Sequence, residues 1–184
     1  MKSYCVIALM FVAACGGNSE RYTVPQPVVG ETQRISYSSV EVRDISLPSY
    51  AASDEIHVES ESGALQSSAS VLWADTPERA VSLALARNLA EITNAKVANE
   101  PWPFQSFPQA RVEVRIEEMI ATNEGVFRLK GQYFVASTRG TRERSGLFEL
   151  TTPYDQEAGP NAVAVARGQV ILALAREIAV SGLR

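Results

Sequence analysis

An α+β domain, with a largely antiparallel sheet and two helices packed on it in the rough order β-β-β-α-β-β-β-α, is the fold the sequence predicts. Three observations carry it. Val112, Val114 and Ile116 alternate strictly with Arg111, Glu113, Arg115 and Glu117, the period-two signature of a half-buried antiparallel strand. Asn123-Glu124-Gly125 then supplies hairpin-turn residues before a second alternating run through Phe127, Leu129, Tyr133 and Val135. Two further stretches, through Val81, Leu85, Leu89 and Ile92 and through Val163, Val170, Leu174 and Ile178, space their apolar residues at the helical period instead.

Taken in order, Arg21 to Pro25 reads as a first short strand, ended by Pro25 and Pro27, which cannot donate to a ladder. Ile35 to Ile45 is rich in β-branched residues and reads as a strand ending at Leu47-Pro48-Ser49-Tyr50. Asp54 to Glu61 is the next, Ser62-Gly63 its turn, and Ser70 to Trp73 a short return strand. Asp75-Thr76-Pro77-Glu78 opens a helix: a hydroxyl at the N-cap, proline at the first helical position and acid in the first turn. Asn94 ends it in the left-handed conformation. Lys96 to Ala98 is a brief strand, and Pro101-Trp102-Pro103-Phe104 an extended connection whose aromatics, with Phe107, are expected to fold back onto the sheet. Glu118-Met119 breaks the phase of the long strand, as a bulge does. A polar, arginine-rich turn over Thr138 to Ser145 leads to a last strand, Leu147 to Thr151. Gly159-Pro160-Asn161 opens a final helix that is apolar nearly all round, so it is expected to be buried on more than one side.

The N-terminus carries a different kind of signal. After Met1-Lys2-Ser3, the run Tyr4 to Ala14 holds no charge, and Val12-Ala13-Ala14 precedes Cys15. A positive start, an apolar stretch and small residues at a cleavage point are the layout of a secretory signal peptide, too short to span a bilayer, which takes about 20 apolar residues. Small residues followed by cysteine look like a bacterial lipobox. The expected organisation is a signal peptide over 1–14, a lipidated N-terminus and tether over 15–20 with Cys15 as the lipidation site, and one α+β domain over 21–184. Gly16, rather than aspartate, after the cysteine favours the outer membrane, with the domain facing the periplasm. The polar tether Gly16 to Glu20 reaches less than roughly 20 Å at about 3.4 Å per residue.

Composition narrows the function classes. Without its leader the chain keeps ~170 residues, enough for one domain with a real core. Apolar residues make up 46% of the sequence, and the net charge of −4 becomes one unit more negative when Lys2 leaves. Nucleic acid is therefore not an expected partner, because phosphate binding needs a concentrated basic surface. No Cys/His cluster survives maturation, so neither disulfide nor metal is expected.

No catalytic constellation appears either. The one histidine, His57, sits in a predicted strand. Ser60, Ser62, Ser67, Ser68 and Ser70 have no Gly-x-Ser-x-Gly elbow. Asp54-Glu55 and Glu117-Glu118 are sequence neighbours, which face opposite sides of a strand. The reading is a non-enzymatic protein with no cofactor beyond the lipid on Cys15. Arg139, Arg142 and Arg144 in one turn are the candidate contact for an acidic partner surface or headgroup; the plainer reading is a solvated turn balanced by Glu143.

The order of these pieces resembles one family. A lipobox, an early Tyr-x-x-Pro, Leu47-Pro48-x-Tyr50, Val71-Leu72-Trp73-Ala74-Asp75 entering a helix with Asn88-Leu89, then a hairpin and an alanine-rich last helix are similar to the ABC-type transport auxiliary lipoproteins, the PqiC-like component of paraquat-inducible systems. The likeness runs over residues 15–184 and departs at Ala51-Ala52, where a leucine and more bulk are expected. It implies an outer-membrane-anchored auxiliary subunit of an MCE-type intermembrane lipid transport system, partnered by an MCE-domain protein and forming a homo-oligomer. The alternative is a lipoprotein that activates or scaffolds another envelope machine, such as a cell-wall synthase or an outer-membrane assembly factor.

Overall fold

The computed structural model describes residues 18–184, so the signal peptide, the Cys15 lipidation site and the start of the tether lie outside the described residues. In chain order the strands are β1 (Glu20–Tyr22), β2 (Ser39–Val42), β3 (Val58–Glu59), β4 (Leu65–Gln66), β5 (Val71–Trp73), β6 (Lys96–Asn99), β7 (Ala110–Ala121), β8 (Val126–Ser137) and β9 (Glu143–Pro153). Helix α1 (Pro77–Thr93) lies between β5 and β6, and helix α2 (Pro160–Glu177) continues into a π turn over Ile178–Gly182. The fold is α+β.

The meander β7–β8–β9 is antiparallel throughout, as the alternation predicts. The other side of β7 is shared. There β2 runs parallel to its first residues, β3 meets Ala121 in parallel, and β6 joins β2, again in parallel. The sheet is therefore mixed, and α1 is the crossover that parallel β2 and β6 require. The phase break is a bulge: the register with β8 shifts between Ile116 and Glu118. The Met119 amide just past it donates to the Tyr50 hydroxyl at 3.2 Å, so the Leu-Pro-x-Tyr segment ties the loop after β2 to β7.

The short elements differ most from the sequence reading. Of Ile35 to Ile45, only Ser39–Val42 forms a strand, and the Ser36 amide donates to the Leu183 carbonyl at 2.8 Å instead. Of Asp54 to Glu61, Val58–Glu59 is a strand paired with Leu65–Gln66. The predicted return strand Ser70 to Trp73 meets the start of the run through an antiparallel bridge between Glu55 and Leu72, with the Ile56 amide on the Val71 carbonyl at 3.1 Å and the Trp73 amide on the Asp54 carbonyl at 2.7 Å. β5 pairs in parallel with β1, in a separate two-stranded sheet. Thr76 makes no side-chain cap on α1; the Asp75 carboxylate accepts the Thr76 amide at 2.9 Å. Pro77 and Asn94 (φ 56°) bound the helix as expected. β9 begins at Glu143, so the turn spans 138–142 and Arg144 belongs to the strand.

Both helical stripes are buried. Val81, Leu85, Leu89 and Ile92 of α1, and Val163, Val170 and Leu174 of α2 with Ile178 after it, belong to one core with Val112, Val114, Leu129 and Val135 of the sheet. α2 touches the sheet, α1 and, across Gly168, the strap from Val24 to Pro27, which explains its nearly uniform apolar surface: a Cβ on Gly168 would lie 2.7 Å from the Pro25 carbonyl oxygen. No described helix is long and apolar enough to cross a membrane. Leu174 is 0% exposed. Leu174→Ala is therefore expected to cost about 2–5 kcal/mol in chemical denaturation. A loss below about 0.5 kcal/mol, typical of surface changes, would contradict this packing.

Candidate functional site

The two ends of the sheet carry different chemistry. The described chain enters beside β5, where the Glu20 amide donates to the Ser70 carbonyl at 2.7 Å. Ser68 and Val71 line one groove with Asn123 of the β7–β8 turn and with Tyr154, so the tether meets the domain at that end. Glu59 and Glu61 line this groove, Glu55 accepts from the Ser67 hydroxyl beside it, and Glu124, Asp155 and Glu157 are chain neighbours of its Asn123 and Gln156. The Tyr154 amide on the Gly125 carbonyl at 2.8 Å and the Gln156 amide on the Asn123 carbonyl at 2.7 Å fold the segment after β9 onto the turn.

β7 has 12 residues, so its other end lies roughly 40 Å away at about 3.3 Å per residue. Lys96, the turn 138–142 and the aromatic loop before β7 meet there. The Thr138 amide donates to the Gln109 carbonyl at 2.9 Å, the Thr138 hydroxyl donates to Pro108, and the Ser38 amide donates to the Gln109 side chain at 2.8 Å. These bonds hold the loop against the sheet end. A groove of about 370 Å³ runs between Phe107, Lys96 and Arg139.

The aromatics do not fold back onto the sheet. Phe107 is 73% exposed and Phe104 42%. Trp102 meets Phe104 edge to face at 4.9 Å between ring centres and donates its indole N–H to the Ser106 carbonyl, while the Lys96 ammonium sits 4.7 Å from the Phe104 ring centre. Pro101 and Pro103 have no N–H to give a ladder, and the segment bends over residues 104–106 instead of forming a strand. The result is an exposed aromatic and cationic surface of the kind that recognises a partner.

Arg139, Arg142 and Arg144 all lie at this end but face different neighbours. Arg139 borders the Phe107 groove, Arg142 reaches the Ser36 hydroxyl at 3.3 Å, and Arg144 reaches the Ser181 carbonyl at 3.4 Å. None of the three, nor Lys96, takes part in an ion pair among the described residues, so Glu143 does not neutralise them. The open face of the sheet is different, with its charges already matched: Arg111 with Glu41 at 2.6 Å, Arg115 with Glu113 at 2.7 Å and Lys130 with Glu149 at 3.0 Å. Sequence reasoning found the arginines but missed their union with Lys96 and Phe107. That union depends on the long-range pairing of β2 with β6, which leaves no local signature. His57 is half-buried, its Nδ1 3.1 Å from the Glu55 carbonyl, with no catalytic partner in reach among the described residues.

The model of a family described as ABC-type transport auxiliary lipoprotein component matches residues 22–179. No curated protein sequence gives a significant match. A solved structure of an uncharacterised protein is similar at TM-score 0.67 and 16% identity, covering 89% of this chain and 97% of the other. A protein from Xanthomonas campestris gives TM-score 0.67 at 16% identity, covering 88% and 93%. The PelC dodecamer from Paraburkholderia phytofirmans is more distant, at TM-score 0.47 and 10% identity over 85% and 96%.

Proposed function

The chain belongs to the family of ABC-type transport auxiliary lipoprotein components, and on that premise we propose that it is a non-enzymatic auxiliary subunit of an MCE-type intermembrane lipid transport system. Lipid on Cys15 anchors it in the outer membrane, and the domain faces the periplasm. The observation that carries this reading is the segregation of the surface. The tether joins the acidic end, while the unpaired cations and exposed aromatics stand at the opposite end of β7. A tether shorter than roughly 20 Å keeps the acidic end by the membrane and presents the basic, aromatic end to whatever approaches across the periplasm.

That end docks an acidic, partly apolar surface of the MCE-domain partner. Opposite charge speeds encounter and sets register, and the aromatic rings supply the desolvated contact. Several copies gather around the partner, so each interface adds avidity without being large. Self-association is supported by β9, whose outer edge pairs with no described strand and whose Leu147 is 78% exposed.

Replacing Arg139, Arg142 and Arg144 together by serine tests the surface. Partner recovered in co-purification is expected to fall about tenfold or more, equivalent to ~1.4 kcal/mol of binding. The melting temperature should stay within about 2 °C, since these are surface positions. Undiminished recovery would remove this end from the interface.

A further inference from the structure

Behind the N-terminal strap lies a second site that partner docking does not use. A pocket of about 290 Å³ opens between the strap, α1 and α2, with Leu83 and Arg87 among its lining residues. Two of the other residues lining it are polar, deeply buried and incompletely bonded. Arg167 of α2 is 1% exposed; it donates Nη2–H to the Pro77 carbonyl at 3.3 Å, and its Nε–H has no acceptor. Asn88 of α1 accepts from the Gln26 amide at 3.1 Å, and its Nδ2 is a buried donor without a partner.

No carboxylate pairs with this guanidinium among the described residues. Besides the Pro77 carbonyl, Trp73 offers it negative electrostatic character, with the ring centre 4.2 Å from Cζ. Burial pulls the guanidinium down to about 10, and Glu78 opposes that only in part. The carboxylate lining the pocket, Asp75, is engaged by Arg79 and by the Thr76 amide. Buried charges are retained where something pairs with them, and buried donors where something accepts from them. Here two residues that line the same cavity each keep a buried donor without a partner, one of them on a cation.

We propose that this pocket binds a small oxyanion, a phosphate or carboxylate group, whose oxygens accept from Arg167 and Asn88. The apolar lining contributed by Val24, Pro25, Ala80 and Leu83 suits an oxyanion carried on a small apolar body. The strap that roofs the site leads directly to the tether, so occupancy would stabilise the packing of the anchored segment on α2. This inference is independent of the partner reading, because none of its residues lies at the basic end.

The test uses the full lipidated chain in neutral detergent, melted against acetate, inorganic phosphate or glycerol 3-phosphate, with sodium chloride at matched ionic strength as control. At tenfold excess over half-saturation, at least one oxyanion should raise the melting temperature by roughly 3 °C while chloride does not. Preference for glycerol 3-phosphate would identify a lipid headgroup, and equal response to inorganic phosphate a free anion. Arg167→Met should abolish the rise. Should that variant fail to fold, Asn88→Ala serves, and the half-saturating concentration should increase at least fivefold. The proposal is overturned if no oxyanion gives a saturable rise, or if the rise survives unchanged in whichever of these variants folds.

Discussion

Gly131→Ala will destabilise the domain by about 3 kcal/mol, the upper part of the range for overpacking a dense interior, and lower its melting temperature by roughly 6–12 °C. Gly131 lies on β8 opposite Ile116, immediately before the bulge. A Cβ there would fall 2.2 Å from the Arg115 carbonyl oxygen, 2.9 Å from Phe148 Cζ and 3.0 Å from Ile116 Cα. Two of those three atoms are backbone, in a strand fixed from both sides, so no rotamer change relieves the clash. Gly30→Ala is the matched control. Its Cβ meets nothing within 4 Å, and a change within about 0.5 kcal/mol is expected. Equal stabilities for the two variants would contradict the register of the meander.

Cys15→Ser is expected to abolish the lipid anchor. Serine has no thiol to receive the diacylglycerol, so the precursor should remain uncut and lack the acyl mass. Each buried methylene contributes about 0.8 kcal/mol, and stable attachment takes two acyl-type signals, so losing them all removes permanent attachment rather than weakening it. Intact-mass spectrometry of the envelope fraction checks this. A variant that matures to the wild-type mass and stays with the membrane would show that Cys15 is not the anchor.

What could be read in the sequence follows the range of the interactions involved. Long elements carry their own pattern: the alternation in β7 and β8, the stripes of α1 and α2, Pro77 and Asn94 at the ends of α1, and the bulge between Ile116 and Glu118 are local features. The two-, three- and four-residue strands are not. β5 pairs with β1 on one side and bridges Glu55 through Leu72 on the other, and β3 pairs with β4, because of where the rest of the chain leaves them. The site divides the same way. Three arginines within six residues were visible as a cluster, but their ring of Lys96, Phe104 and Phe107 needed the sheet to assemble it. Arg167 reads in sequence as a polar interruption of an apolar helix. Its burial against Trp73 appears only once α2 is covered by α1 and the strap.

The most direct measurement of the central claim is to extract the wild-type lipoprotein from its native membranes in mild detergent, purify it by an affinity tag and identify what accompanies it by mass spectrometry. The account predicts an MCE-domain protein as the principal companion and an assembly larger than one copy of this chain. A monomer that brings down no MCE-domain protein, or that brings down a cell-wall synthase or an outer-membrane assembly factor in its place, would contradict it.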